Sequence, residues 1–379
     1  GMVDLLQAAR VDDGTDLRQV LAERVREVLH VDVVAIVTPA EAGWHAASSP
    51  RIAVRELDAA LQPDATPATI SDALGQGWIA RPASADDADS LLLIVRPRAD
   101  QTLSSPMLRM TQATAELCAT LVGQARRHEE ALERQRLARQ LEFAGEVQRH
   151  LLRQDSTRPR GLRVSTSYEP AGAVGGDLYA ILRAGDQTLL ALGDVSGKGA
   201  PAALLMAEAK ALLQRHAQRT TDPAELLARV SADLTADLDR SHAFLTLAVA
   251  RFDAASGALS LANAGHAPVL LKSQDGVRLL EPQDPPIGVV EGVSFAQREL
   301  VLSAADTLLI ASDGISDRED PDDHRFGIDR LVGIMQQSEA QPRNLVAKIR
   351  SATERFAHGR VQGDDMTLVV AQAKSAAVA

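Results

Sequence analysis

Between Ser105 and Leu152, only Pro106, Gly123 and Gly145 are residues that disfavour a helix. The segment therefore reads as one long helix, or two joined end to end. In a chain of 379 residues, at roughly 100–200 residues per domain, it separates an N-terminal part of the chain from a larger C-terminal one. Leu137, Leu141, Ala144 and Leu151 fall on one stripe with heptad spacing, and Gln148 fills the remaining seam position. Glu130 and Arg134 form an i, i+4 pair on a charged face. A seam this short suits a helix packed on its own domain, and equally a connector that joins two chains as a homodimer.

Ahead of the helix, Thr15 is a candidate cap for a helix carrying Leu17, Val20, Leu21, Val25 and Val28. Val33–Val37 reads as a strand, with Trp44–Ala47 as its hairpin partner after the turn at Gly43. Ala53–Leu61 reads as a short helical piece. Trp78–Arg81 and Leu91–Arg96 read as two further strands, joined by the acidic stretch Ser84–Asp89. This order describes a small α+β domain over residues 1–125. It resembles a GAF sensor domain in layout, with a PAS-like domain as the alternative, and a ligand or protein would be what it senses. Residues 126–158 are the linker.

Beyond Pro159 the pattern changes. Strands are expected at Leu162–Tyr168, Thr188–Asp194, Ala243–Phe252, Ala258–Ala264, Val269–Lys272, Val293–Val301, Thr307–Ser312 and Met366–Ala371. Helices are expected at Pro201–Arg219, Pro223–Leu238, Ile328–Gln336 and Pro342–Phe356. Many meander-spaced strands with a few long helices suggest stacked sheets flanked by helices over 159–373, followed by a disordered tail at 374–379.

Four aspartates in this part stand beside glycine and beside apolar strands: Asp177, Asp194, Asp313 and Asp364. A carboxylate where a buried strand emerges is costly unless something positive offsets it. Glycines alongside let the backbone turn sharply and approach an ion. Hard cations such as Mg²⁺ and Mn²⁺ prefer oxygen donors, and no His or Cys cluster stands nearby to favour zinc. Any single Asp-Gly pair reads more simply as a turn. Four at strand ends within one segment weaken that plainer reading.

Composition narrows the partners. Aromatic residues make up 3 % of the chain and the formal net charge is −11, a poor match to nucleic acid, which calls for clustered Lys and Arg and stacking rings. Cys118 is the single cysteine, so no intramolecular disulfide framework exists, and it reads as a small buried hydrophobe. The longest aliphatic run, Leu91–Val95, is far short of the roughly 20 residues a membrane helix needs. No signal pattern opens the sequence. The expectation is a cytoplasmic protein without a membrane partner.

Motifs succeed one another in a particular order: Glu146-Val147-Gln148-Arg149-His150-Leu151-Leu152, Tyr168-Glu169-Pro170-Ala171, Gly175-Gly176-Asp177, Gly193-Asp194-Val195-Ser196-Gly197-Lys198-Gly199-Ala200-Pro201, Asn263-Ala264-Gly265-His266, Pro285-Pro286-Ile287-Gly288, Ser312-Asp313-Gly314 and Asp364-Asp365-Met366-Thr367. The series resembles the SpoIIE/RsbU branch of the PPM (type 2C-like) metal-dependent protein phosphatases, from about Glu142 to Ala371. The resemblance implies a β-sandwich flanked by helices with a metal centre at one edge. It implies Asp177, Asp194, Asp313 and Asp364 as the catalytic and metal-ligating set, joined by the backbone carbonyl of Val195. Two Mn²⁺ or Mg²⁺ ions would activate the attacking water and clamp the phosphate. The implied substrate is a phosphoserine or phosphothreonine on a partner protein, a STAS-domain anti-anti-sigma factor in bacterial partner switching. The segment near Gln148 would pass on a signal from the sensor domain.

Two departures stand out. Ala180 occupies a place where relatives commonly carry a second acid, and Ser196 stands near the place of a histidine in eukaryotic-type relatives. Rival readings are a catalytically silent phosphoprotein-binding module and a nucleotide-signalling enzyme. The second is disfavoured because Leu178-Tyr179 replaces the Glu-Phe of the diguanylate cyclase loop. Gly193–Gly199 is not a P-loop, since its glycine spacing is one short and no Ser or Thr follows Lys198. Lys198 could steer a phosphate or be a solvated loop lysine, and His266 suits a structural hydrogen bond better than catalysis. Asp317, Glu319, Asp320, Asp322 and Asp323 read as a solvated acidic flap that could meet a substrate protein or hold an extra ion.

Overall fold

In the computed structural model, the described residues are 16–40, 43–50, 57, 60–62, 67–74, 78–83, 91–101, 104–153, 159–338 and 341–374. The chain divides into two compact units, one ending at Arg136 and the other starting at Leu137.

Among the described residues of the first unit, the first element is α1 (Leu17–Leu29), whose N-cap is Asp16: its Oδ1 accepts the Arg18 N–H at 3.0 Å. Thr15, expected as the cap, lies outside the described residues, as do Ser84–Asp89, the tail past Lys374 and most of Ala53–Leu61. Strands β1 (Val33–Ala40), β2 (Gly43–Ser49), β3 (Ile79–Pro82) and β4 (Leu92–Arg96) form an antiparallel sheet in the order β2-β1-β4-β3. A short helix, α2 (Pro67–Leu74), lies between β2 and β3 in the chain. The period-two alternation divides the side chains between two faces. Val34, Ile36, Leu93 and Val95 pack with Leu21 and Val25 of α1 and with Ala115, Cys118 and Leu121 of α3 (Ser105–Arg153). Ala35, Val37, Leu92 and Ile94 pack on the other side with Ile70 and Leu74. Cys118 is the small hydrophobe expected, its thiol pushed up to about 12 by burial.

In the second unit two five-stranded antiparallel sheets face each other. One runs β11-β10-β13-β14-β5 and the other β12-β9-β8-β7-β6. Their strands are β5 (Leu162–Glu169), β6 (Asp177–Ala184), β7 (Gln187–Val195), β8 (Leu245–Asp253), β9 (Ala258–Ala264), β10 (Val269–Ser273), β11 (Gly276–Leu280), β12 (Arg298–Val301), β13 (Thr307–Ala311) and β14 (Met366–Ala373). Helices α4 (Ala200–Ala217) and α5 (Pro223–Arg240) share one core with β6 to β9. The short α6 (Asp313–Ser316) comes directly after β13, and α7 (Ile328–Gln337) and α8 (Pro342–Ala357) cover the outer face of β10, β13 and β14. Alternation sorts these strands too. Leu308, Ile310, Val369 and Ala371 turn into the sandwich, and Leu309, Ala311, Leu368 and Val370 turn to α7 and α8. With both faces covered, every residue of β14 is buried.

The strand expected at Val293–Val301 shortens to Arg298–Val301. Side chains take over the backbone and flank of the preceding residues: the Ala296 N–H is bonded to Asp284 Oδ2 at 2.8 Å, and Gln297 reaches Asp222 Oδ2 at 3.1 Å. Strands β6 and β11 are not anticipated by the sequence pattern. The run Leu178-Tyr179-Ala180-Ile181-Leu182 has no alternation to mark it, because its first half is buried on both faces.

Ile310→Ala, in the sealed centre of the sandwich, is expected to cost about 2–5 kcal/mol in denaturant unfolding. Val301→Ala, on an edge strand and 70 % exposed, is expected to stay within about 0.5 kcal/mol. Equal losses would contradict this placement of the core.

Candidate metal centre

The site is assembled where one end of each sheet meets the other. Asp177 opens β6 and Asp194 lies one residue from the end of β7, and the two are direct cross-strand partners. Residues opposite each other on paired strands present their side chains to the same face. Across the sandwich, Asp313 opens α6 immediately after β13, and Asp364 and Asp365 immediately precede β14. The Ser312 N–H donates to the Thr367 carbonyl at 3.0 Å, and Ser312 Oγ accepts from the Thr367 N–H at 2.8 Å. These bonds hold the two loops of the second sheet together. A Cβ on Gly314 would come within 2.1 Å of the Asp365 carbonyl oxygen, so only glycine lets Asp313 sit so close to Asp364.

Two acidic side chains tie the sheets to each other. The Thr367 hydroxyl on β14 donates to Asp177 Oδ2. Asp365 crosses more fully: Oδ2 accepts from Gly176 N–H at 2.6 Å and Asp177 N–H at 3.3 Å, and Oδ1 from Ala171 N–H at 2.8 Å. Asp365 was missed as a functional residue. Its only sequence signal is that it doubles Asp364, and sequence cannot say which of two neighbouring carboxylates turns inward. The Val195 carbonyl belongs to the same cluster, since a Cβ on Gly176 would lie 2.7 Å from it and 3.3 Å from Asp194 Oδ1.

Electrostatics record the crowding. Asp177, 1 % exposed at the floor, has its carboxyl pushed well above the ordinary range by burial and by Asp194. Asp194 is pushed up to about 7 by burial, then by Asp313, Asp364 and Asp365. Desolvation, then Asp364 and Asp317, raise Asp313. All four aspartates singled out from the sequence are thus brought together, with Asp313 and Asp364 exposed at the mouth. No cation figures among the causes of these shifts. A bowl of crowded carboxylate oxygens with the Val195 carbonyl beside them fits hard divalent cations by charge and donor type.

Residues 184–374 match the family described as Stage II sporulation protein E (SpoIIE). The chain belongs to the SpoIIE family. Asp194, Asp313 and Asp364 lie within the matched residues, and Asp177 stands just ahead of them. Among curated relatives, protein IcfG of Synechocystis sp. is 24 % identical over 258 residues, covering 61 % of this chain and 41 % of IcfG. Phosphoserine phosphatase RsbU of Bacillus subtilis is 25 % identical over 244 residues, covering 63 % of this chain and 72 % of RsbU. The chain thus spans well under half of IcfG and about three-quarters of RsbU. Among solved structures, the SiaA-PP2C domain of Pseudomonas aeruginosa superposes with a TM-score of 0.58 at 21 % identity, over 64 % of this chain and 99 % of that one. That likeness establishes a PP2C fold.

Around this SpoIIE-family centre the remaining candidates separate. His266 is 2 % exposed, lies 2.8 Å from Thr246 Oγ1 through Nδ1, and is pushed down to about 4 by burial, so it is a neutral core residue. Ser196 Oγ accepts from the Phe244 N–H at 2.9 Å and pins the start of β8. The acidic flap is largely neutralised, with Arg325 on Asp317 at 3.0 Å and Arg360 on Glu319 at 2.6 Å. Asp320, Asp322 and His324 do bring three donors within 4.8 Å of one another, the one such group among the described residues.

The place of Gln148 in the heptad seam needs correction, and the leucine stripe is not what packs α3 on its own domain. Leu137, Leu141, Ala144 and Leu151 are exposed, whereas Gly145, Gln148 and Leu152 form the buried face of the end of α3. Gln148 turns into the domain, not along a seam. Its Nε2 donates to the Gly175 carbonyl at 2.7 Å, and its Oε1 accepts from Gly175 N–H at 3.0 Å and Tyr168 Oη at 2.9 Å. A Cβ on Gly145 would lie 2.0 Å from the Ala173 carbonyl, so helix and loop are in direct contact. The loop that delivers Asp177 is held by Gln148 on one side and Asp365 on the other.

A raised carboxyl pKa sets the sign of the pH dependence: the folded state holds a proton that the unfolded state has lost, so stability falls as pH climbs from the ordinary 3.8 toward about 7. In EDTA, the protein is expected to melt at a higher temperature at about pH 5.5 than at about pH 7.5, and Asp194→Asn to shrink that difference. His266, pushed down from 6.5 to about 4, works the other way, since its imidazole takes a proton near 6.5 only in the unfolded chain, so the comparison with Asp194→Asn isolates the carboxyl contribution. Calorimetry of both proteins at both pH values checks this, and a pH difference that Asp194→Asn leaves unchanged would refute the crowding.

Proposed function

We propose that this chain is a metal-dependent protein serine/threonine phosphatase that removes phosphate from a partner protein. Convergence of five carboxylates from two sheets on one edge, crowded enough that Asp177, Asp194 and Asp313 are each pushed above the ordinary carboxyl range, is the observation that carries the reading. Asp177, Asp194, Asp313, Asp364 and the Val195 carbonyl would hold two Mn²⁺ or Mg²⁺ ions. When bound, the ions supply Lewis acidity that makes water a nucleophile at neutral pH and offsets charge on the phosphoryl oxygens. The chain's own residues do the rest. Asp365 and Gln148 fix the loop carrying Asp177, and Thr367 orients its carboxylate. The cleft beside Asp364, about 450 Å³ and lined by Lys198, Gly314, Asp317, Arg318 and Arg325, admits a phosphorylated side chain.

The relative RsbU, a phosphoserine phosphatase by name, supports the reaction class. The partner is a phosphorylated STAS-type anti-anti-sigma factor or a similar phosphoprotein. The N-terminal unit is a GAF-like sensor, in keeping with its four-stranded sheet and two helix-covered faces, and α3 carries its state to the centre through Gln148. Two chains pair through the exposed leucine stripe of α3. The setting is cytoplasmic: no helix among the described residues is long and apolar enough to cross a membrane, and one cysteine makes no disulfide.

Phosphate release from a phosphoserine peptide is expected with Mn²⁺, and none with EDTA or in Asp313→Asn. Activity in EDTA would refute the metal mechanism. Binding of the phosphopeptide without turnover would favour the silent binding module.

Gln148→Ala removes three hydrogen bonds from a buried loop and is expected to cost about 1–3 kcal/mol and to cut kcat at least tenfold. Unchanged kcat would separate α3 from control of the centre.

A further inference from the structure

We propose that Lys198 is the phosphate-recognising cation of this centre, binding a non-bridging oxygen of the phosphoryl group. The inference rests on the phosphatase reading above. Lys198 lies between Gly197 at φ 98° and Gly199 at φ 74°, two left-handed positions with nothing within 4 Å of a Cβ. The loop is thereby shaped by backbone conformation and not by crowding, and it comes directly after Asp194 and Val195. From there the side chain reaches across to the other sheet. Nζ lies 3.8 Å from Asp364 Oδ2 and donates to the Gly363 carbonyl at 2.5 Å.

The other basic groups of the cleft are committed elsewhere. Arg325 pairs with Asp317, Arg360 with Glu319 and Asp323, and Arg318 Nη1 donates to the Val361 carbonyl at 2.8 Å. Lys198 differs. Its side chain is 67 % exposed, and its ion partner Asp364 is one of the carboxylates that divalent ions would engage. Once that charge is shared with an ion, the ammonium is left without a full counter-charge, on the wall of the cleft where a phosphorylated side chain must enter.

A phosphoryl dianion approaching five carboxylates on a chain of net charge −11 needs positive charge beyond that which offsets the carboxylates. Lysine supplies it as a compact point charge with three donors. The start of α4 adds to it. Its N-cap is Gly199, which offers no side-chain acceptor, and Pro201 in the first turn has no N–H, so the Ala200 and Ala202 N–H groups of an 18-residue helix have no side-chain cap beside Lys198. The same helix end touches the centre: a Cβ on Gly176 would lie 3.5 Å from Ala202 Cβ and 3.3 Å from Asp194 Oδ1.

The test uses the full Mn²⁺-loaded chain, a phosphoserine peptide as substrate, inorganic phosphate as inhibitor, and Lys198→Ala beside Lys198→Arg. Lys198→Ala is expected to raise KM and the phosphate inhibition constant together, about tenfold, as loss of one charge-assisted hydrogen bond does. Mn²⁺ affinity by titration calorimetry should stay within about twofold, and Lys198→Arg should restore phosphate inhibition. An unchanged inhibition constant in Lys198→Ala would overturn the assignment. So would weakened Mn²⁺ binding without a change in phosphate inhibition, which would make Lys198 a tether for Asp364. If the parent chain shows no turnover with Mn²⁺, the phosphatase reading fails by itself. Fluorescence anisotropy of labelled phosphopeptide then decides the lysine: tighter binding to parent than to Lys198→Ala supports it, and equal binding overturns it.

Discussion

Like charges forced together are the constraint around which the second unit is organised. Asp177 and Asp194 face each other across one sheet, and Asp313, Asp364 and Asp365 arrive from the other. Packing of the sandwich fixes the strand ends that carry them, because Ile310, Val369 and Leu192 are part of the sealed core between the layers. Repulsion is therefore stored in the folded chain, and hydrogen bonds contain part of it. Thr367 donates to Asp177, and backbone N–H groups of Ala171, Gly176 and Asp177 surround Asp365. A carboxylate bonded to several N–H groups keeps its charge at low cost. Asp177 and Asp194, less well supplied, have their carboxyls pushed above the ordinary range.

The division of labour between Asp364 and Asp365 turns on one peptide bond. Successive side chains at the entry to β14 point opposite ways, so the exposed Asp364 faces the cleft and the buried Asp365 faces the backbone of the Gly175-Gly176 turn. The glycines there are obligatory, since a Cβ on Gly175 would fall 2.2 Å from Asp365 Oδ2. Gln148 grips the same turn from the helix side. One turn thus carries a candidate ligand, a link between the sheets and a contact with the end of α3.

Much of this was legible in the sequence. The long helix, the main strands and the four aspartates are marked by features that survive projection onto one dimension: missing glycine and proline, alternation, and Asp beside Gly at the end of an apolar run. The features that escaped depend on direction. Gln148 and the leucines of α3 share a stripe on paper, yet Gly145, Gln148 and Leu152 are the residues that turn inward. Heptad spacing reports which residues can share a face and not what covers it. Strand β6, buried on both faces at its start, has no alternation to read, so Asp177 is marked by its glycines and not by its strand.

The account stands on a pair of divalent ions held by these oxygens. Diffraction from crystals grown with Mn²⁺, with anomalous differences recorded near the manganese edge, tests this directly. Two peaks are predicted among Asp177, Asp194, the Val195 carbonyl, Asp313 and Asp364. Manganese found at Asp320, Asp322 and His324 alone, or nowhere on the chain, would contradict it.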